Sequence, residues 1–193
     1  MEIQPSPQPK RRNALKTRQR ILECAFDLFS AHGYSGTGIR DIAEQAGVAS
    51  SLVLRYFSNK ATLFEESLMH AIYARGFFVK EKAEFGAKMA KLIMRDRDAL
   101  IPAVMAMAIA DPESRAVAKR VTDEVVLKAL SEWLGPPDAR ARALSMLILL
   151  NGFSLQTRHL LSGKIPPETV AWFARALQQL ADGSDATPER GKA

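Results

Sequence analysis

Apolar positions recur at i, i+3, i+4 and i+7 along almost the whole chain, and no useful stretch alternates apolar with polar residues. That pattern predicts an all-α protein. The first apolar face is wide. Ile21, Leu22, Ala25, Phe26, Leu28 and Phe29 mark one side of a helix that runs to about Ala31 and stops at Gly33. Two short helices follow within residues 33–60. In the first, Thr37 is the N-cap candidate, and Ile39, Ile42, Ala43 and Ala46 repeat behind it until Gly47, a residue able to take φ > 0, ends it. In the second, Ser50 or Ser51 can cap, with Leu52, Val53, Tyr56 and Phe57 filling the buried side. Beyond Lys60 the period predicts helices at about 60–79, 82–95, 97–110, 113–134, 138–162 and 167–181. The breaks are Asp96/Asp98, Asp111-Pro112, Gly135-Pro136-Pro137 and residues 163–167. The total is about nine helices, with no internal repeat.

The two short helices are separated by only three or four residues. Ala43 is small enough to let them approach, and Val48 can plug the turn. This is a helix-turn-helix pattern, its second helix sized for the major groove of DNA. Arg40 falls in the first turn of one helix and Lys60 at the start of the next. A cation there opposes the helix dipole at a cost of about 0.3–1 kcal/mol. Such a position suits an external anion such as a phosphate, or is a solvated surface charge at a loosely defined helix end.

The stretch from TRQRILECAFDLFSAHGY to KATLFEESL, about residues 17–68, carries Gly33-Tyr34, Thr37, Arg40-Asp41-Ile42-Ala43, Ala46-Gly47-Val48, Tyr56-Phe57 and Lys60. In that order and spacing it resembles the DNA-binding domain of the tetracycline-repressor (TetR) family. The resemblance implies a sequence-specific transcriptional regulator with three N-terminal helices and a larger helical domain for effector binding and dimerisation. It points to Thr37, Arg40, Ser50, Ser51, Leu52, Leu54, Arg55, Tyr56 and Lys60 as the DNA-binding set. This chain has Ser51, Leu54 and Arg55 where the family often has Gly, Tyr and His. Leu54 cannot make the phosphate contact of a Tyr, which leaves it sugar and base methyls, or no contact. Arg55 adds a charge that can bridge G O6 and N7. The expected layout is a disordered basic arm at 1–15, the DNA-binding domain at 16–62, the helical domain at 63–183 and a disordered tail at 184–193.

Charge changes the picture in one respect. The chain carries +6, with a pI near 9.6. Residues 1–60 hold nine Lys/Arg against five Asp/Glu, so most of the excess lies beside the helix-turn-helix. The run KRRNALKTRQR at 10–20 has six basic residues and no acid. It reads equally as a solubilising lead-in or as an arm attracted to phosphate. A lone cysteine, Cys24, fits a small core residue in a reducing cytosol, and a cytoplasmic protein is expected. No secretory leader is visible, and apolar runs such as Met146–Leu150 are too short to span a bilayer.

In the second domain, Val170, Phe173, Ala174, Leu177 and Leu180 form a helical stripe, with Trp172 off it. The preceding helix, ALSMLILLNGFSLQTRHLL, is apolar on nearly every side. Together they read as a homodimer surface, for which a TetR-like dimer implies a bundle of two helices from each subunit, suited to a palindromic operator, or else the apolar helix is the central core helix of a monomer. The family resemblance also implies a pocket for a small, largely apolar effector. Tyr73, Phe77, Met89, Met105, Thr122, Met146, Asn151 and Gln156 are its candidate lining, each also readable as plain core. The expected function is a repressor released from its operator by that effector. The alternatives are a helical dimeric interaction protein and a constitutive DNA-binding regulator without a ligand. Enzymatic activity is not expected: nucleophile-elbow, zincin, C-x-x-C and phosphate-loop motifs are all missing, and His32, His70 and His159 fall in separate helices. No cofactor and no metal are expected.

Overall fold

A computed structural model of the chain describes residues 9–74, 81–95 and 101–183. Among the described residues there are helices and no strand. The order is α1 (Pro9–His32), α2 (Ile39–Gln45), α3 (Ser50–Phe57), α4 (Lys60–Ala74), α5 (Phe85–Arg95) and α6 (Ile101–Met107), which closes in a 3₁₀ turn, Ala108–Ala110. Then come α7 (Pro112–Val121) and α8 (Leu127–Leu134), joined into one rod by the π-helical turn Thr122–Val126. Last are α9 (Ala139–Leu155), prolonged by a second π turn at Gln156–Leu160, and α10 (Pro167–Asp182). Counting α7 and α8 as one rod gives nine among the described residues, as the apolar period predicts. The expected extension of α4 to 79, Phe78, the Asp96/Asp98 break, residues 1–8 and the tail at 184–193 lie outside the described residues.

The N-terminal unit closes around Ile21, Phe26, Phe29, Ile42, Val53, Phe57, Leu63 and Phe64, all buried. Part of the stretch expected to be a disordered arm, 1–15, is helical, because α1 begins at Pro9. Contacts from the reading head hold this extension. Tyr56 Oη donates to Ala14 O at 3.4 Å, while the Arg18 guanidinium lies 5.1 Å over the Phe57 ring and pairs with Glu66. Cys24 is half-buried, and burial, followed by the nearby charge of Asp27, raises its thiol pKa above 9.0. A thiol so placed stays protonated at neutral pH, as a packing residue would.

The second unit packs α5 against α10 and α8 against α9. Gln178 of α10 accepts from Gly86 N–H at 3.1 Å and donates to Lys82 O at 3.1 Å, which closes the start of α5. Arg142 ties two helix ends together. Its guanidinium donates to Leu134 O and Gly135 O at the end of α8, to Pro137 O, and to Leu180 O near the end of α10. Leu134 O and Leu180 O, at the ends of α8 and α10, lie past the last intrahelical acceptor, and Leu134 O also accepts from Lys82 Nζ at 2.7 Å. Replacing Arg142 by Met keeps the stem and removes the donors. A loss of about 1.5–3 kcal/mol is expected, or roughly 3–12 °C in Tm for a chain of this size. An unchanged melting curve would mean that water serves those carbonyls equally well.

One expected surface is corrected by the fold. Phe173 and Leu177 are both 0% exposed, and Val170, Ala174 and Leu180 are partly buried. The stripe faces its own chain, with Phe173 stacked on Phe153 at 3.9 Å. The open apolar positions are Leu144 and Ile148 on α9, 50% and 63% exposed, and Trp172 on α10, 51% exposed. The most regular stripe was claimed by the subunit's own core, and the second face of the all-round apolar helix was left outside.

Candidate nucleic-acid interface

The turn between α2 and α3 follows from three backbone choices. Ala46 closes α2, and Gly47 at φ +62 donates to Glu44 O at 3.0 Å. Val48 N–H then reaches back to Ala43 O at 2.9 Å while its side chain packs on the core. These bonds satisfy the orphan carbonyls at the end of α2 and set the entry of α3. Ala49, with extended φ/ψ, is the cap residue of α3, so Ser50 and Ser51 stand inside its first turn and do not cap it.

Thr37 is also corrected. The cap of α2 is Gly38, whose N–H is accepted by Asp41 Oδ2 at 2.7 Å. Thr37 is 2% exposed, and its hydroxyl donates toward Gly33 O at 2.8 Å and Leu28 O at 3.1 Å. It fastens the end of α1 and is not available to DNA. Among the other expected contacts, Arg40, Ser51, Leu54 and Arg55 are exposed, and Ser50, Leu52, Tyr56 and Lys60 are partly so. Val53 and Phe57 anchor the opposite side of α3. The outer face of α3 therefore offers a hydroxyl, an aliphatic side chain and a guanidinium, the mixture that reads base edges and methyls.

Lys60 opens α4, whose cap is Asn59: its Oδ1 accepts from Thr62 N–H at 2.8 Å. The Lys60 ammonium lies 4.2 Å from the centroid of the Tyr34 ring. Tyr34 in turn donates from its hydroxyl to Glu113 Oε2 at 2.5 Å, and burial, then that bond, then the carboxylate charge, raise its pKa so that it stays neutral. Ser35 Oγ donates to Asp111 Oδ2 at 3.1 Å. Asp111 caps α7 through Glu113 N–H and Ser114 N–H. The Ser114 N–H chiefly lowers its pKa from 3.8, helped by Ser35 and by Lys60, so its carboxylate is charged wherever the fold is intact at neutral pH.

Sequence reasoning missed Tyr34, Asn59, Asp111 and Glu113 as parts of this site. Asp-Pro followed by an acid was a readable cap signal at Asp111, although it registered only as a break. The partnership of Tyr34 with a residue 79 positions away left no local trace.

The residues of the expected effector lining differ in burial. Met89 and Met146 are buried, Met105, Thr122 and Asn151 are half-buried, Tyr73 and Gln156 are exposed, and Phe77 lies outside the described residues. A cavity of about 560 Å³ opens elsewhere, where Tyr34, Ser35 and His32 meet Met107, Ile109 and Asp111, and none of the eight residues lines it. Among the described residues no three of His, Cys, Asp and Glu gather as a metal site, and no helix is long and apolar enough to cross a membrane.

The relatives of this chain agree with the geometry. Residues 21–67 match the family model "Bacterial regulatory proteins, tetR family", and residues 83–180 match "Tetracyclin repressor-like, C-terminal domain". The chain is 45% identical over 53 residues to the "Probable acrEF/envCD operon repressor" of Escherichia coli K12, across 28% of this chain and 24% of that one. It therefore spans about a quarter of the length of that curated relative. Among solved structures, a "putative TetR-family transcriptional regulator" of Mesorhizobium loti superposes with a TM-score of 0.63 at 16% identity, covering 88% of this chain and 95% of the other. A transcriptional regulator from Rhodococcus sp. Rha1 superposes with a TM-score of 0.58 at 25% identity, covering 89% and 99%. With both family models matched in order and the helix-turn-helix in place, the chain belongs to the TetR family of bacterial regulatory proteins.

Proposed function

We propose that this regulator is a cytoplasmic homodimeric repressor that reads a two-fold symmetric operator through α3 and leaves it when a small, largely apolar molecule enters the helical domain. The observation that carries the reading is the outer face of α3, where Ser51, Leu54 and Arg55 are exposed beside Lys60. Arg55 takes the base contact, and Lys60 and Arg40 take phosphate. The second copy docks on α9 and α10. Leu144 and Ile148 are one turn apart on one side of α9, Gly152 continues that line, and nothing lies within 4 Å of where its Cβ would be. Such a strip admits the close approach of another helix. The soft interior around Met89 and Met146 supports an apolar ligand in the second domain.

Selection of bound sequences from random duplex DNA tests this. An inverted repeat with half-sites about 34–36 Å apart is expected. Arg55→Ala should cost about 1–3 kcal/mol at one position of the motif and relax the preference there. Lys60→Ala should weaken binding on all sequences and lower the salt slope by about one. An unchanged motif with Arg55→Ala would remove Arg55 from base reading. A broad chemical library screened for thermal stabilisation, with and without the selected operator, tests release. Reciprocity requires the operator to weaken binding of a true effector by the factor by which the effector weakens DNA binding.

A further inference from the structure

Lys60 is not a free surface cation. Its ammonium sits on the face of Tyr34, a ring that is itself fixed: stacked on Phe29 at 5.7 Å, edge-on to Phe64 at 5.3 Å, and almost fully buried. A four-carbon stem rotates freely in water, and a ring face that holds its head removes much of that freedom before DNA arrives. The same ring is gripped at its other end by the second unit, through the 2.5 Å bond to Glu113 in the first turn of α7. One residue along, Ser35 is bonded to Asp111, the cap of α7, and Asp111 attracts Lys60. Tyr34 thus carries the reading head's cation on its face and the hold of the second unit on its edge. The two acids on that hold carry the charge that a phosphate would bring.

We propose that Tyr34 is the positioning residue for the phosphate contact of Lys60, and that the second domain acts on that contact at the start of α7, through Glu113 and Asp111. The ring presents the ammonium at the mouth of α4, while the Asp111 carboxylate competes with DNA for it. A shift of α7 against the α1–α2 turn moves the competing charge and pulls on the ring together. The inference rests on the reading of Lys60 as a phosphate contact.

The test uses the full chain and a labelled duplex of mixed sequence at low salt, so that no operator is needed. Affinity is measured against salt concentration for the wild type, Lys60→Ala, Tyr34→Leu, Tyr34→Phe, Asp111→Asn and the double variants with Lys60→Ala. Lys60→Ala should lower the salt slope by about one. Tyr34→Leu should lower it by the same step, with no further loss in the double variant, whereas Tyr34→Phe keeps the ring and the slope. Asparagine caps a helix as well as aspartate does, so Asp111→Asn keeps the cap and removes the charge, while the Ser35 hydroxyl turns to accept from the new amide. It should tighten binding about two- to threefold, and the gain should vanish in the Lys60→Ala background. A full slope in folded Tyr34→Leu, or an equal gain from Asp111→Asn with and without Lys60, would overturn the inference. If Lys60→Ala itself keeps the slope, the phosphate reading is the part that fails. Should Tyr34→Leu not fold, the Asp111→Asn pair still decides.

Discussion

Replacing Ile148 with glutamate is expected to leave a folded monomer that has lost its grip on a two-half-site operator. Ile148 is 63% exposed in the subunit, so the substitution disturbs nothing inside it. In the proposed dimer the same position is covered by a second copy, and a carboxylate there is buried without a partner. Uncompensated buried charge costs about 3–5 kcal/mol, which raises the dimer dissociation constant by two to nearly four orders of magnitude. A monomer then reads one half-site, and the gain from two linked contacts disappears. Leu177→Glu is the contrast. That side chain is 0% exposed within its own subunit, so the charge enters the core and the chain should unfold. Sedimentation at micromolar concentration and far-UV circular dichroism separate the two outcomes. A persistent Ile148→Glu dimer would move the interface off this face of α9.

That pair of residues shows how far the sequence could be read. The helical period located nearly every element, because amphipathic spacing survives any tertiary arrangement. It did not tell which apolar face meets the chain's own core and which stays open on the subunit. The regular stripe through Phe173 and Leu177 proved internal, while α9 is apolar on both sides and gave no ranking of its faces. Caps were legible to within a residue. Gly47 is where its backbone freedom requires it to be, since φ is +62 there. Thr37 was misplaced by one position, because two carbonyls of α1 and its turn claimed its hydroxyl, a tertiary event that no local rule anticipates. Ser50 and Ser51 gave way to Ala49 for a simpler reason: consecutive small residues leave the first turn undefined by a position. Arg55 and Lys60 were legible as candidate contacts from charge and helix position, and the fold leaves Arg55 exposed and Lys60 partly so. The ring under Lys60 and the acids behind it were not legible, since they join residues 26 and 79 positions from Tyr34.

The second large effect is expected at Gly86. A Cβ built there falls 1.9 Å from Ala174 O, 2.9 Å from Ala174 C and 3.0 Å from Gln178 N. All three atoms belong to the backbone of α10, so no side chain can swing aside. Two effects compete in Gly86→Ala. Alanine gains about 0.5–1 kcal/mol over glycine in a helix. Against that, α5 and α10 must move apart, and forcing atoms into a packed interface costs about 1–3 kcal/mol even where the neighbours are flexible. Here the neighbour is main chain, and the movement also stretches the bonds of Gln178 to Gly86 N and Lys82 O. The clash should win by about 2 kcal/mol or more, lowering Tm by at least about 4 °C; Gly86→Val should lose considerably more. The reading head lies in the other unit, so DNA affinity of the folded protein, measured well below the transition, should change little. A Gly86→Ala protein as stable as the wild type would mean that α5 and α10 can separate without cost, and that their close approach is not what closes the second unit.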